Sequence, residues 1–94
     1  MSDVLIVGNF AAAMAERLDA NSHKRGWEQM SPKALLVRAE QELGELRRAL
    51  ERGESDLRVR FEAADVGNFL GMLVEVYARE YVPPHLRPSK RPDD

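Results

Sequence analysis

The sequence predicts an all-α protein: a short helical bundle protomer of three main helices that completes a four-helix-bundle-like core through oligomerisation. Three observations predict it. Apolar residues recur at steps of three and four rather than in strand-like alternation. Helix start and stop signals punctuate the chain. The most apolar stretch, residues 63–78, has only Asp65, Asn68, Glu75 and Tyr77 as polar side chains, so it is apolar on nearly all sides. Such a helix is buried on nearly all sides, and two neighbours from one chain do not cover it.

The elements follow in order within one domain spanning 1–82. Residues 1–8 read as an extended N-terminal arm ending at Gly8. A first helix fits 9–20, with Asn9 as N-cap and Phe10, Met14 and Leu18 at i, i+4 and i+8. Residues 21–30 form a polar loop that carries Trp27, the only tryptophan. Ser31-Pro32 is a strong helix start, serine at N-cap and proline at N1. The second helix runs to about Glu51, with Gly53 as the residue past its end and Leu36, Ala39, Leu43, Leu46 and Leu50 as its stripe. After a short turn the third helix runs from about Asp56 to Tyr81, stopped by Pro83-Pro84. The segment 83–94 is rich in proline and charge and reads as a disordered tail.

Composition excludes several functions. The 94 residues include no cysteine, hence no disulfide framework and no thiolate zinc site. With 14 basic and 16 acidic residues the net charge is −2, and aromatics are 6 % of the chain. Neither a basic surface nor a stacking platform for nucleic acid is present. The apolar run Val4-Leu5-Ile6-Val7 is too short to cross a bilayer and lacks the pattern of a signal peptide. The expectation is a cytoplasmic protein, of a bacterial cell or a phage-infected host, that engages neither membrane nor nucleic acid. A chain this short buries only about two thirds of its unfolded surface, so a homo-oligomer is expected.

Asp65 is the anomaly. On a helix, Phe61, Phe69, Met72 and Val76 all lie within roughly 40° of it. A carboxylate in the middle of an apolar stripe costs several kcal/mol unless a basic group, a proton or a metal ion compensates it. Glu62 and Asp65 are i, i+3 on the third helix; Glu42 and Glu45 are i, i+3 on the second. If the two helices pack as antiparallel neighbours, four carboxylates converge. Hard divalent cations favour such an oxygen cage, and the lack of an accompanying histidine or cysteine argues against zinc. The bland alternative pairs Glu42 with Arg38, Glu45 with Arg48 and Glu62 with Arg58, as on any solvated helix face. For Asp65 no basic residue on its own helix is in reach, and the alternative is an arginine from a neighbouring helix.

The motifs Gln41-Glu42-Leu43-Gly44-Glu45 and Glu62-Ala63-Ala64-Asp65, separated by 16 residues, resemble the E-E-x-x-E and E-x-x-D signature of the MazG-like all-α nucleoside triphosphate pyrophosphohydrolases. Gly26-Trp27-Glu28 and the run at 62–70 look like those of a small phage and bacterial subgroup, and the resemblance covers about residues 10–80. It implies Mg²⁺ ligands at Glu42, Glu45, Glu62 and Asp65, with Mn²⁺ as the alternative ion. It further implies hydrolysis of a nucleoside triphosphate, with a lean toward purine deoxynucleotides, to monophosphate and pyrophosphate, and Glu42 or Glu45 as general base. Gln41 stands where the family has its first glutamate, which puts rate, ion number or metal preference in doubt but keeps the cage.

For substrate binding the candidates are Lys24, Trp27, Asn68 and Phe10. Trp27 stacks on a base or caps the bundle; Lys24 contacts phosphate or is solvated. Asn68, one turn beyond Asp65, bonds sugar or phosphate or else satisfies a buried backbone group. Phe10 lines a base pocket or packs in the core. The oligomer is read as a tetramer, a dimer of dimers, or a simple dimer. Two readings from other classes stand beside the enzyme: a non-catalytic helical interaction module whose acids are structural, and a nucleotide-binding sensor that lost turnover through Gln41.

Overall fold

Ser2 opens the first helix of the computed structural model, which describes residues 2–22, 26–81 and 85. Its hydroxyl accepts a hydrogen bond from the Leu5 amide at 3.3 Å and caps α1 (Asp3–Ala20), with Asp3 in the first turn where the helix dipole favours an acid. The extended arm expected over 1–8 is therefore corrected: residues 3–8 are helical, and Asn9 lies inside the helix rather than at its cap. Ser2-Asp3 is a sufficient start signal, and the roughly 1 kcal/mol cost of Gly8 does not break a helix of this length. Gly26, at φ 116°, leads into a single 3₁₀ turn, Trp27–Gln29. The Arg79 guanidinium ties this turn to the far end of the third helix by donating to the Glu28 carbonyl at 3.3 Å.

The second helix, α2 (Pro32–Glu51), starts as its signals require, with the Ser31 hydroxyl accepting from the Ala34 amide at 3.1 Å and Pro32 in the first turn. It ends in a Schellman turn. Gly53 takes φ 62°, its amide donates to Leu50 O at 3.2 Å and the Glu54 amide donates to Ala49 O at 3.0 Å. Only glycine enters that left-handed geometry without penalty, so the chain reverses within four residues. Ser55 then caps α3 (Asp56–Tyr81) by accepting from the Arg58 amide at 3.2 Å. The described residues form three helices and no strand. α3 is the common element, packing along α2 and, less extensively, against α1.

The core is narrow. Leu35, Ala39 and Ala49 of α2, Ala64 and Val76 of α3 and Ala13 of α1 are its buried apolar residues. The α2 stripe therefore sits one position from where leucine spacing puts it. Leu36, Leu43 and Leu50 are 47 %, 49 % and 61 % exposed, while the buried line runs through 35, 39, 42, 46 and 49. On α3, Leu70, Val74 and Tyr77 are also exposed. A face of large apolar groups on each of two helices is left uncovered within the protomer. The segment expected to be a disordered tail, 83–94, lies outside the described residues apart from His85.

α1 meets α3 closely at Gly67. A Cβ there would lie 2.7 Å from Met14 Sδ and 3.0 Å from ring carbons of Phe10, whereas nothing stands within 4 Å of one at Gly71. Gly67→Leu is thus expected to lower stability by about 1–3 kcal/mol through overpacking, and Gly71→Ala to raise it by about 1 kcal/mol through helix propensity. Thermal unfolding followed by circular dichroism checks both; equal effects at the two glycines would contradict the close approach of α1.

Candidate functional site

The buried line of α2 brings Glu42 to the helix interface, because positions 35, 39, 42, 46 and 49 all face α3. Across it, Glu62 is the buried charged residue of the described structure, 7 % exposed, and Asp65 follows one turn later. One carboxylate oxygen from each of Glu42, Glu62 and Asp65 lies within 4.8 Å of the others. The three-helix arrangement encloses these acids in a cleft of about 730 Å³. Its lining combines charged side chains, Arg17, Arg38, Arg58, Glu42, Glu45, Glu62 and Asp65, with apolar ones, Leu18, Trp27, Met30, Phe69 and Met72.

Arginines compensate the acids in a graded way. Arg17 of α1 grips Asp65 with two bonds, Nε donating to Oδ1 at 3.0 Å and Nη2 to Oδ2 at 3.1 Å. This bidentate fork is the strongest geometry an arginine and a carboxylate adopt. The same guanidinium lies over the Phe61 ring, 5.1 Å from its centroid. Its hydrogen bonds to Asp65 hold Arg17 further above the ordinary arginine range. Arg58 reaches Glu62 at 3.0 Å and Glu54 at 3.5 Å, but from an exposed position where solvent weakens the pair. Glu42 has no ion pair of this kind. Burial first, then the charges of Asp65 and Glu62, push its carboxyl above the usual carboxylate range; the Arg38 charge partly offsets this.

The structure thus brings together three of the four carboxylates expected as metal ligands. Glu45 lines the cleft but turns to Arg48, one turn on, in an exposed ion pair. Glu42, Glu62 and Asp65 form the close cluster, and Glu45 stands beside it on α2, three residues after Glu42. Asp65 is paired with an interhelix arginine, the alternative to a metal ion at that position, and Glu45 and Glu62 have Arg48 and Arg58, the partners of the bland alternative. Arg38 instead stacks on Phe69, 5.0 Å from the ring centroid.

Among the expected substrate contacts, Trp27 lines the cleft. Asn68 borders the cleft too, but its amide donates to the Met14 carbonyl at 3.0 Å, so it satisfies backbone and pins α1 to α3. Phe10 is not among the residues that line the cleft; it packs against Gly67, the core-packing alternative for this residue. Lys24 lies outside the described residues. Arg17 escaped the sequence reading. The available signal was its spacing: Phe10, Met14 and Arg17 share one face of α1, so a lone basic residue sits on an apolar stripe.

No protein-family model, curated protein or solved structure matches the chain.

Glu42 makes a specific pH prediction. Its folded-state carboxyl binds a proton more readily than the unfolded one, so the contribution of this group to stability is greatest at low pH and falls as pH rises through the carboxylate range. Glu42→Gln, which removes the charge, is expected to raise the melting temperature at pH 7–8. The gain shrinks as pH falls and wild-type Glu42 becomes protonated. Melting curves of both proteins across pH 4–8 measure it; a gain independent of pH would show that the neighbouring acids do not act on Glu42.

Proposed function

We propose that the protein is a divalent-cation-dependent nucleoside triphosphate pyrophosphohydrolase, cleaving a nucleotide, with purine deoxynucleotides favoured, to monophosphate and pyrophosphate. The observation that carries this reading is the placement of Glu42, Glu62 and Asp65, with oxygens within 4.8 Å of one another, in a cleft that Trp27 also lines. The donor set fits the ion. Three carboxylates without nitrogen or sulfur suit Mg²⁺ or Mn²⁺. The cleft electrostatics point the same way. Its described lining holds four carboxylates against three guanidiniums, one negative charge in excess. A triphosphate is repelled by that balance unless cations accompany it.

Glu42, Glu62 and Asp65 would hold the ion, which when bound neutralises phosphate charge and acidifies a coordinated water. The chain's own groups do the rest. Trp27, with Met30, Phe69 and Met72 beside it, offers an aromatic and apolar surface for a base. Arg38 and Arg58 border the acids and can meet phosphate oxygens. Glu45, in the cleft but outside the three-acid cluster, is assigned the role of accepting the proton of the attacking water. The exposed Leu36, Leu43 and Leu50 support a homo-oligomer, a dimer of dimers or a dimer, as the working form.

A second reading has its own observation. Asp65 and Glu62 already have guanidinium partners, as expected of a non-catalytic helical module whose acids are structural. Two measurements separate the two. Incubation with each dNTP and Mg²⁺ or Mn²⁺ is expected to release pyrophosphate. Glu42→Gln or Asp65→Asn should reduce it by more than the roughly 10–100-fold that loss of an outer-shell partner costs. Release from none of the nucleotides sinks the enzymatic reading. In parallel, Mg²⁺ at about 100 times its dissociation constant stabilises the folded state by about 2.7 kcal/mol if it binds there, and a structural module shows no shift in melting temperature.

A further inference from the structure

The geometry points to Arg17 as a built-in counter-cation of the acidic cluster: we propose that its guanidinium and a divalent cation compete for Asp65, so that cation binding detaches the fork and leaves Arg17 in the cleft. The inference rests on the cation-site reading above and goes beyond it, naming what the site holds in place of the ion and what must move.

Three features carry it. First, both oxygens of Asp65 are engaged by Arg17, at 3.0 Å and 3.1 Å. The same carboxylate supplies one of the three oxygens that lie within 4.8 Å of each other. A guanidinium that occupies both oxygens and an ion that requires one of them cannot both be fully satisfied, which makes the two cations rivals with reciprocal effects. Second, Arg17 has a second foothold. It lies over Phe61, 5.1 Å from the ring centroid, so losing Asp65 does not release the side chain to bulk solvent. In the cleft, next to Arg38 and Arg58, it then presents free donors to an anion. Third, the rival is selective. Arg58 pairs with Glu62 from a side chain that is 60 % exposed, a weak and screened contact, whereas Arg17 and Asp65 are 28 % and 14 % exposed. Arg17 is therefore the principal barrier to cation entry.

Mn²⁺ alone is the probe, titrated into the full chain and followed by electron paramagnetic resonance. Mg²⁺, the diamagnetic counterpart, is titrated while the Arg17 Nε–Hε resonance is followed by ¹⁵N NMR. The expected result is about tenfold tighter Mn²⁺ binding by Arg17→Met than by wild type, the scale set by a lost charge-assisted pair. Arg38→Met removes an equal charge from the same cleft without touching Asp65, and is expected to tighten binding by no more than about threefold, as a screened charge does. In the wild type, saturating Mg²⁺ should move the Arg17 Nε–Hε resonance away from its Asp65-bonded position. Arg17→Met that binds Mn²⁺ no more tightly than wild type or Arg38→Met overturns the competition while leaving the cation site standing. So does an Arg17 resonance unmoved by saturating Mg²⁺, a readout that needs no variant to fold. Absence of Mn²⁺ binding by wild type and both variants overturns the cation-site reading and the inference together.

Discussion

An acid on the most apolar helix of a small protein needs a counter-charge, and the rest of the structure is arranged around supplying one. Asp65 sits on α3 among Phe61, Phe69 and Met72, and Arg17 reaches it from another helix with both arms of its guanidinium. That pair does more than offset desolvation. α1 contributes one fully buried residue, Ala13, so its attachment depends on a short list of contacts: the Arg17–Asp65 fork, the Asn68 amide on the Met14 carbonyl, and Met14 with Phe10 against Gly67. All three lie between positions 65 and 68 of α3. The helix that carries the acids is thereby also the one that orients α1, and the charge arrangement and the tertiary arrangement cannot be changed separately.

The register of α2 is the second constraint. Leucine spacing favours a face through 36, 43 and 50, yet the buried line is Leu35, Ala39 and Ala49, with Glu42 upon it. Small alanines let α2 approach α3, and the approach brings the Glu42 carboxyl toward Glu62 and Asp65. The cost shows in Glu42 itself, whose proton affinity is raised by burial and by its acidic neighbours. Packing the large leucines against α3 instead would bury more apolar area but turn Glu42 away from the cluster by about 100°, one residue of helix rotation. A helix that leaves three leucines exposed while placing a glutamate at an interface carries the signature of a functional site or of a further apolar contact outside the protomer.

Local chemistry was legible wherever a backbone requirement selects a residue. Ser31-Pro32 marked the start of α2, Gly53 its Schellman end, and the limits Asp56 and Tyr81 of α3 follow from the turn before and the prolines after. The carboxylate pair Glu62 and Asp65 and its meeting with Glu42 were also legible, because i, i+3 spacing on adjacent antiparallel helices allows little else. What failed has physical causes. The Ser2 cap was overlooked because Gly8 reads as a stop, although one glycine costs an 18-residue helix little. The α2 face was misread because leucine, the stronger hydrophobe, marks the greediest face rather than the one that tertiary packing selects. A one-residue rotation of α2 also decides whether Glu45 faces α3 or pairs with Arg48. Arg17 was missed because its place on the Phe10–Met14 face of α1 marks a lone basic residue on an apolar stripe but does not say which acid on another helix it meets.

The three acids are held together against their mutual repulsion. Three carboxylates held within 4.8 Å repel one another, and a single domain of 94 residues has only a few kcal/mol of stability to set against that. Removing the acids would relieve the repulsion but also the site. Arginines from three directions do it instead: Arg17 from α1, Arg58 along α3, and Arg38 along α2 acting at longer range on Glu42. They differ in how firmly they hold. The exposed Arg58 pair is screened, Arg38 is seated on Phe69 rather than on an acid, and only Arg17 makes a bidentate contact. The three acids are thus compensated unequally, firmly at Asp65, by a screened pair at Glu62 and at longer range at Glu42.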